Sequence, residues 1–199
     1  MLIKLVSRLI PERVRKKELE LLFNLTAEAF RVPGPDLGRL TFAECLSEYA
    51  AFTEELSRRF PENSPLGEEI KSRLYQNAFD FGAGVRKRFY IKSRKQSLEA
   101  LQAVYGFIGI DFRILGPNKE DAGSDKAAAG ENGAAGERTE FVVRKCFFSS
   151  RYSEAACRQM ASLDAGMAEG LTGGGLCFTQ RITDGSVCCR GYLCGGQHN

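Results

Sequence analysis

The chain has 199 residues, 43% of them hydrophobic and 27% charged, with a formal net charge of +3. That composition fits one globular domain with a real core, or one domain carrying a helical appendage. A charge this small does not suit a general nucleic-acid binder, and the basic clusters RVRKK (13–17) and RKRFYIKSRK (86–95) read as solvated helix faces, so no nucleic-acid partner is expected.

At the N-terminus, Leu2, Leu5, Val6, Leu9 and Ile10 fall on one helical face opposite Lys4 and Arg8. The pattern is read as a packing helix in preference to one lying on a membrane, and no segment approaches the roughly 20 apolar residues of a membrane span. The segment has no unbroken apolar core and no small-residue cleavage site, which argues against a secretory signal. Seven cysteines, an odd number, then point to free thiols in a reducing cytoplasm and not to a disulfide framework. The one histidine is His198, second from the end, so no Ser-His-Asp or Cys-His mechanism has an internal base. Any chemistry falls to carboxylates, thiols or arginines.

Helical spacing of Val14, Leu21, Leu22, Leu25 and Phe30 predicts a helix from Pro11 to Phe30, ended by the VPGP at 32–35. A second helix runs from about Thr41 to Phe60, with Thr41 as N-cap and Glu44 in the capping-box position. The third spans about Pro65 to Tyr90, where Gly82 and Gly84 admit a closely approaching backbone. Ser93 caps a fourth that ends near Gly106.

The period then changes. Phe107–Leu115 alternates, with Ile108, Ile110, Phe112 and Ile114 on one face, and Glu140–Phe148 is a second strand candidate. Between them lies a segment of Gly, Ala and charges, read as a mobile loop at 116–138 joining two antiparallel strands. Ser153 begins a helix running through Gly170, broken by Gly173–Gly175. LCFTQRIT and SVCCRGYL flank Asp184-Gly185, the central pair of a type I′ hairpin turn. That turn sets Gln180 opposite Cys189, Arg181 opposite Cys188 and Phe178 opposite Gly191. It turns Phe178, Gln180, Ile182, Val187 and Cys189 inward, and Cys177, Arg181 and Cys188 outward.

Cys157, Met160, Asp164, Met167 and Leu171 share one face of the Ser153 helix, so Asp164 is an acid on an apolar stripe. Buried there, it would have a raised pKa and serve as general acid or base, or hold a cationic ligand group; alternatively it bonds a backbone amide or an arginine in the core. Cys146, Cys157 and Cys189 come from a strand, a helix and a hairpin that should meet. As ligand types they suit zinc together with Asp164, but the tight C-x-x-C or H-x-x-x-H spacing is absent.

The order of helices, hairpin, helix and a final hairpin with G-x-x-x-C resembles the 4-vinyl reductase-type small-molecule-binding domains, which share a fold with transport-particle subunits. Within that group, CFFSSRYSEAACRQMASLDAGMAEGLTGGGLCFTQRITDGSVCC is similar to the L-2-amino-thiazoline-4-carboxylate hydrolase-like family. The family's pattern falls on Cys146, Cys157, Asp164, Phe178, Arg181, Gly185 and Cys189, in about the last third of the chain. Zinc-bearing members of the wider group carry a Glu-x-x-Cys pair where Phe178 and Arg181 stand here, so neither a metal nor another cofactor is expected.

These readings together give an α+β fold, an antiparallel sheet of two hairpins packed against helices. Residues 1–62 form a helical N-terminal extension or homodimer surface, and 63–199 a ligand-binding or hydrolase-like domain. The resemblance implies hydrolysis of a small cyclic amidine-like substrate. Asp164 would be base and amidinium anchor, Cys189 nucleophile or pocket wall, Cys146, Cys157 and Gln180 substrate-binding, and Arg181 or Arg144 a clamp for a carboxylate. The competing class is a non-enzymatic sensor that binds an apolar or thiol-containing metabolite in the same pocket. A domain with no internal cavity would instead be a partner-binding module.

Overall fold

Capping residues set most of the helix starts. In the computed structural model, which describes residues 11–115 and 139–195, α1 (Glu12–Phe30) follows Pro11, and α2 (Phe42–Arg59) opens on a full capping box. There the Thr41 hydroxyl accepts from the Glu44 N–H at 3.3 Å and Glu44 Oε2 accepts from the Thr41 N–H at 2.7 Å. Ser64 caps α3 (Pro65–Arg88), Ser93 and Gln96 make a second capping box for α4 (Arg94–Phe107), and Ser153 caps α5 (Glu154–Thr172). Each such cap stabilises its helix by about 1 kcal/mol. The apolar face expected at 2–10, the loop expected at 116–138 and His198 lie outside the described residues.

The strands β1 (Ile110–Ile114), β2 (Glu140–Cys146), β3 (Gly174–Gln180) and β4 (Cys189–Gly195) form one antiparallel sheet in the order β1-β2-β4-β3. Two hairpins, β1-β2 and β3-β4, are therefore joined edge to edge through β2 and β4, with helices on the inner face. The fold is α+β. No helix among the described residues is long and apolar enough to cross a membrane.

Two core clusters meet beneath the sheet. One gathers Leu19, Phe23, Tyr49 and Leu74 from α1, α2 and α3 around Met160, Leu163 and Met167 of α5. The other packs Leu101 and Tyr105 of α4 and Leu171 of α5 against Phe112, Phe141, Leu176 and Cys189 on the sheet. Ile108, Ile110 and Cys146 touch both. Among the described residues, α1 and α2 thus share a core with α5.

The seam between α3 and α5 is set by glycines. A Cβ at Gly166 or Gly170 would run into the carbonyl oxygens of Tyr75 and Phe79, and one at Gly82 would lie 2.6 Å from that of Met167. The two backbones thus touch directly. Of the two glycines expected to admit a neighbour, only Gly82 does so; Gly84 faces open space.

Several boundaries differ from expectation. Ile108 caps α4 and does not begin a strand. Gly173, at φ 83°, ends α5, but Gly174 and Gly175 already belong to β3, paired with Gly195 and Cys194. The two-residue turn expected at Asp184-Gly185 is replaced by a wider one, a 3₁₀ turn over Ile182–Asp184 followed by Gly185 at φ 88°. Phe178 does face Gly191, but a bulge then sets Gln180 opposite Arg190 and not Cys189. Val187, expected inside, is 96% exposed. A three-residue 3₁₀ segment consumes chain that a tight turn would leave in the ladder, and the alternation of faces fails beyond Phe178.

Cys177 and Cys194 are disulfide-bonded on β3 and β4, with Cα atoms 5.8 Å apart, which corrects the free-thiol expectation for these two. Each lies two residues from the other's direct cross-strand partner, on the same face, a spacing that brings Cα atoms within disulfide reach.

Candidate functional site

A line of aromatic rings crosses the inner face of the sheet. Tyr105 stacks on Phe112 at 4.7 Å, Phe112 on Phe141 at 5.1 Å, and Phe141 meets Phe178 edge-on at 5.1 Å. Phe141 and Phe178 both pair with Gly191 from either side, so they touch over a strand that has no side chain there; a Cβ at Gly191 would lie 2.7 Å from the Phe141 ring. The Arg181 guanidinium sits 4.9 Å over Phe178 and ends the line.

At the other end, the Tyr105 hydroxyl donates to Asp164 Oδ1 at 2.9 Å. Asp164 projects from α5 into the region where the two core clusters meet. Among the described residues no donor reaches its second oxygen, Oδ2. Burial pushes its pKa up to about 6, against the opposing pull of the Tyr105 hydroxyl and the Arg181 charge. The surface that Asp164 keeps accessible faces the two cavities it lines. Arg181 acts on Asp164 and on Cys157 and Cys189, and its Nε is buried with no hydrogen-bond partner. It therefore lies on the inner side of the hairpin, not the outer side.

The first cavity, about 80 Å³, lies between α5, the end of α4 and the β3-β4 turn. Cys146, Cys157, Asp164 and Cys189 line it together, with Tyr49, Tyr152, Ile182 and Thr183. The tyrosine hydroxyls are occupied elsewhere: Tyr49 pairs with Thr26 at 2.9 Å and Tyr152 with Thr53 at 2.6 Å. Burial raises the pKa of all three thiols, that of Cys146 to about 12. Cys189 Sγ also accepts from the Ile182 N–H at 3.3 Å, which ties the turn to β4. No group of three or more His, Cys, Asp or Glu among the described residues is placed to hold a metal ion.

Two of the expected site residues lie elsewhere. Gln180 does not line the cavity; its amide donates to Cys188 Sγ at 3.7 Å, because the bulge takes it out of register with Cys189. Arg144 is exposed on β2, over a surface groove with Val187, Cys188 and Arg190. In β2 the side chains alternate, so Phe141 and Val143 take the inner face and Arg144 the outer. Sequence reading missed Tyr105. Its signal was a Leu101–Tyr105 step of four on α4, which marks an inward helical face but does not reveal the partner.

No family model and no curated protein matches the chain. Among solved structures it matches the crystal structure of the phenol-responsive sensory domain of the transcription activator PoxR with phenol. The two are 16% identical, the match covers 81% of this chain and 78% of that one, and the TM-score is 0.46.

Proposed function

We propose that the chain is a small-molecule-binding domain of the sensor type, whose ligand presents a hydrogen-bond donor to Asp164. The observation that carries this is the division of labour on that carboxyl group. One oxygen is fixed by Tyr105, while the other has no donor among the described residues and faces cavity space. A buried carboxylate left half-satisfied is costly, on the order of 1–3 kcal/mol or more for a charged group, and an amine, amidine or hydroxyl of a ligand would remove that cost. The apolar walls supply contact area and the carboxylate supplies orientation, the usual division in a ligand pocket.

Hydrolysis of a cyclic amidine such as 2-aminothiazoline-4-carboxylate uses the same residues, and an acid with a pKa near 6 suits a general base. It draws less support from the thiols, since a nucleophilic cysteine acts as thiolate and burial holds Cys189 as thiol. Calorimetric titration with benzamidine and with 2-aminothiazoline-4-carboxylate, alongside an assay for ring opening of the latter, tests both. Binding without turnover, lost in Asp164→Asn, is the expected result. Turnover of the thiazoline would replace the sensor reading with the hydrolase, and the absence of binding by any donor ligand would remove both.

A further inference from the structure

Asp164 also lines a second cavity. It measures about 200 Å³ and lies beneath α1, α3 and α4, and Leu22, Ile108, Leu163 and Asp164 form the wall it shares with the first. For comparison, an apolar cavity of roughly 150 Å³ is enough to hold a benzene ring. On that scale the 80 Å³ cavity takes only a small headgroup, and the larger one has room for most of a ligand.

The larger cavity is graded along its length. At its inner end stand Asp164 and Tyr105, its middle is lined by Leu25, Phe81, Val85 and Val104, and at its outer end are the exposed Val14 and Phe89 with Arg88. Arg15 lies in the wall with its guanidinium 4.0 Å over Phe42, one nitrogen given to the Phe107 carbonyl at 3.0 Å, and Nε buried without a partner. Asp164 lies at the inner end, where the Arg181 charge already acts on it, Arg15 lies in the wall, and the exposed Arg88 stands at the outer end. The carboxylate within and the Arg88 guanidinium outside set the direction of a polar ligand. A cationic nitrogen belongs at the inner end, away from Arg88, and an apolar chain belongs between.

We propose that this second cavity is the seat of the ligand's tail, and that the ligand class is an elongated primary amine with its nitrogen on Asp164 and its alkyl or aryl chain running outward under α1 and α3. The assignment rests on the reading of Asp164 as ligand anchor and adds to it the length, polarity and direction of the molecule.

The n-alkylamines from propylamine to octylamine are the probes, titrated calorimetrically into the whole chain at pH 7.5. Burial of about 0.8 kcal/mol per methylene predicts that affinity rises about fourfold per added carbon, then levels off once the chain outgrows the cavity. Val104→Trp and Val85→Phe, each of which fills the middle of the cavity, should erase the gain of octylamine over propylamine and change propylamine affinity by less than about twofold. Retained propylamine binding shows that each variant folds. Propylamine binding with no dependence on chain length would overturn the cavity assignment alone, as would a chain-length gain that survives both fillings. Failure of every homologue to bind the wild-type chain would overturn the anchor reading and this inference with it.

Discussion

The hydroxyl of Tyr105 donates to Oδ1 of Asp164 across 2.9 Å, and the same tyrosine ring is the end of a stack that crosses the sheet to Phe178 and Arg181. One residue thus fixes the carboxyl group from α4 while being held in place by β1, β2 and β3. Asp164 is oriented by packing as much as by its hydrogen bond, which is what a binding anchor on rigid elements requires.

Removing that hydroxyl while keeping the ring should raise the acid's pKa. In Tyr105→Phe the burial that pushes Asp164 up to about 6 remains, and the donor that opposes it is lost. The Asp164 carboxyl, followed by carbon-detected NMR, should titrate above 6, and the variant should lose roughly 1.5–3 kcal/mol of stability at neutral pH. A titration midpoint that stays put or falls would mean the hydroxyl does not donate to the carboxylate.

Stability should depend on pH in a direction opposite to that of a salt-bridged acid. The folded pKa of Asp164 lies above its ordinary 3.8, so the folded state favours the protonated form. The contribution is fully present below 3.8 and is lost as pH rises through about 6, amounting to about 3 kcal/mol over the whole window. Urea unfolding of wild type and Asp164→Asn between pH 4 and 7.5 isolates it, because the other titrating groups are common to both. The wild type should weaken relative to the variant as pH rises. Parallel curves would place Asp164 in solvent.

Helix starts were legible because Thr41, Ser64, Ser93 and Ser153 announce themselves by local hydrogen bonding. The inward placement of Asp164 and Cys157 was legible for a similar reason, since a single helix period determines it. The hairpin was not. Asp184-Gly185 carries the residues of a two-residue turn, and nothing local discloses that Ile182–Asp184 coils into a 3₁₀ turn that shifts Gln180 and expels Val187. The second cavity was equally hidden, because α1, α3 and α4 contribute to it from positions far apart in sequence and each reads alone as an ordinary amphipathic helix. Cys177 and Cys194 become neighbours only when the β3-β4 register is known.

The α3-α5 seam should be intolerant of a single methyl group. Gly166→Ala or Gly170→Ala drives a Cβ into a backbone carbonyl that cannot swing aside, and should cost at least about 2 kcal/mol. Gly84→Ala lies on the same helix pair with nothing within 4 Å, and should stabilise by roughly 0.8–1 kcal/mol through helix propensity. Thermal unfolding of the three variants checks the contrast. Equal effects at Gly84 and Gly170 would mean that the two helices do not touch along this line.

The cysteines should separate into reactive and inert classes in a way that also bears on catalysis. Cys45, Cys146, Cys157, Cys188 and Cys189 are free, while Cys177 and Cys194 are paired and should not react without reductant. Burial raises the pKa of Cys45, Cys146, Cys157 and Cys189. Cys146, pushed up to about 12, is almost wholly thiol at pH 8, and the thiolate is the reactive form. Cys188 instead lies over the surface groove beside Val187 and Arg190. Ellman's reagent at pH 8 should therefore show one fast thiol, lost in Cys188→Ser, and a slow set that reacts only as the protein opens. Had Cys189 been built as a nucleophile it would belong to the fast class, so disappearance of the fast phase in Cys189→Ser, with Cys188→Ser unchanged, would favour the hydrolase over the sensor.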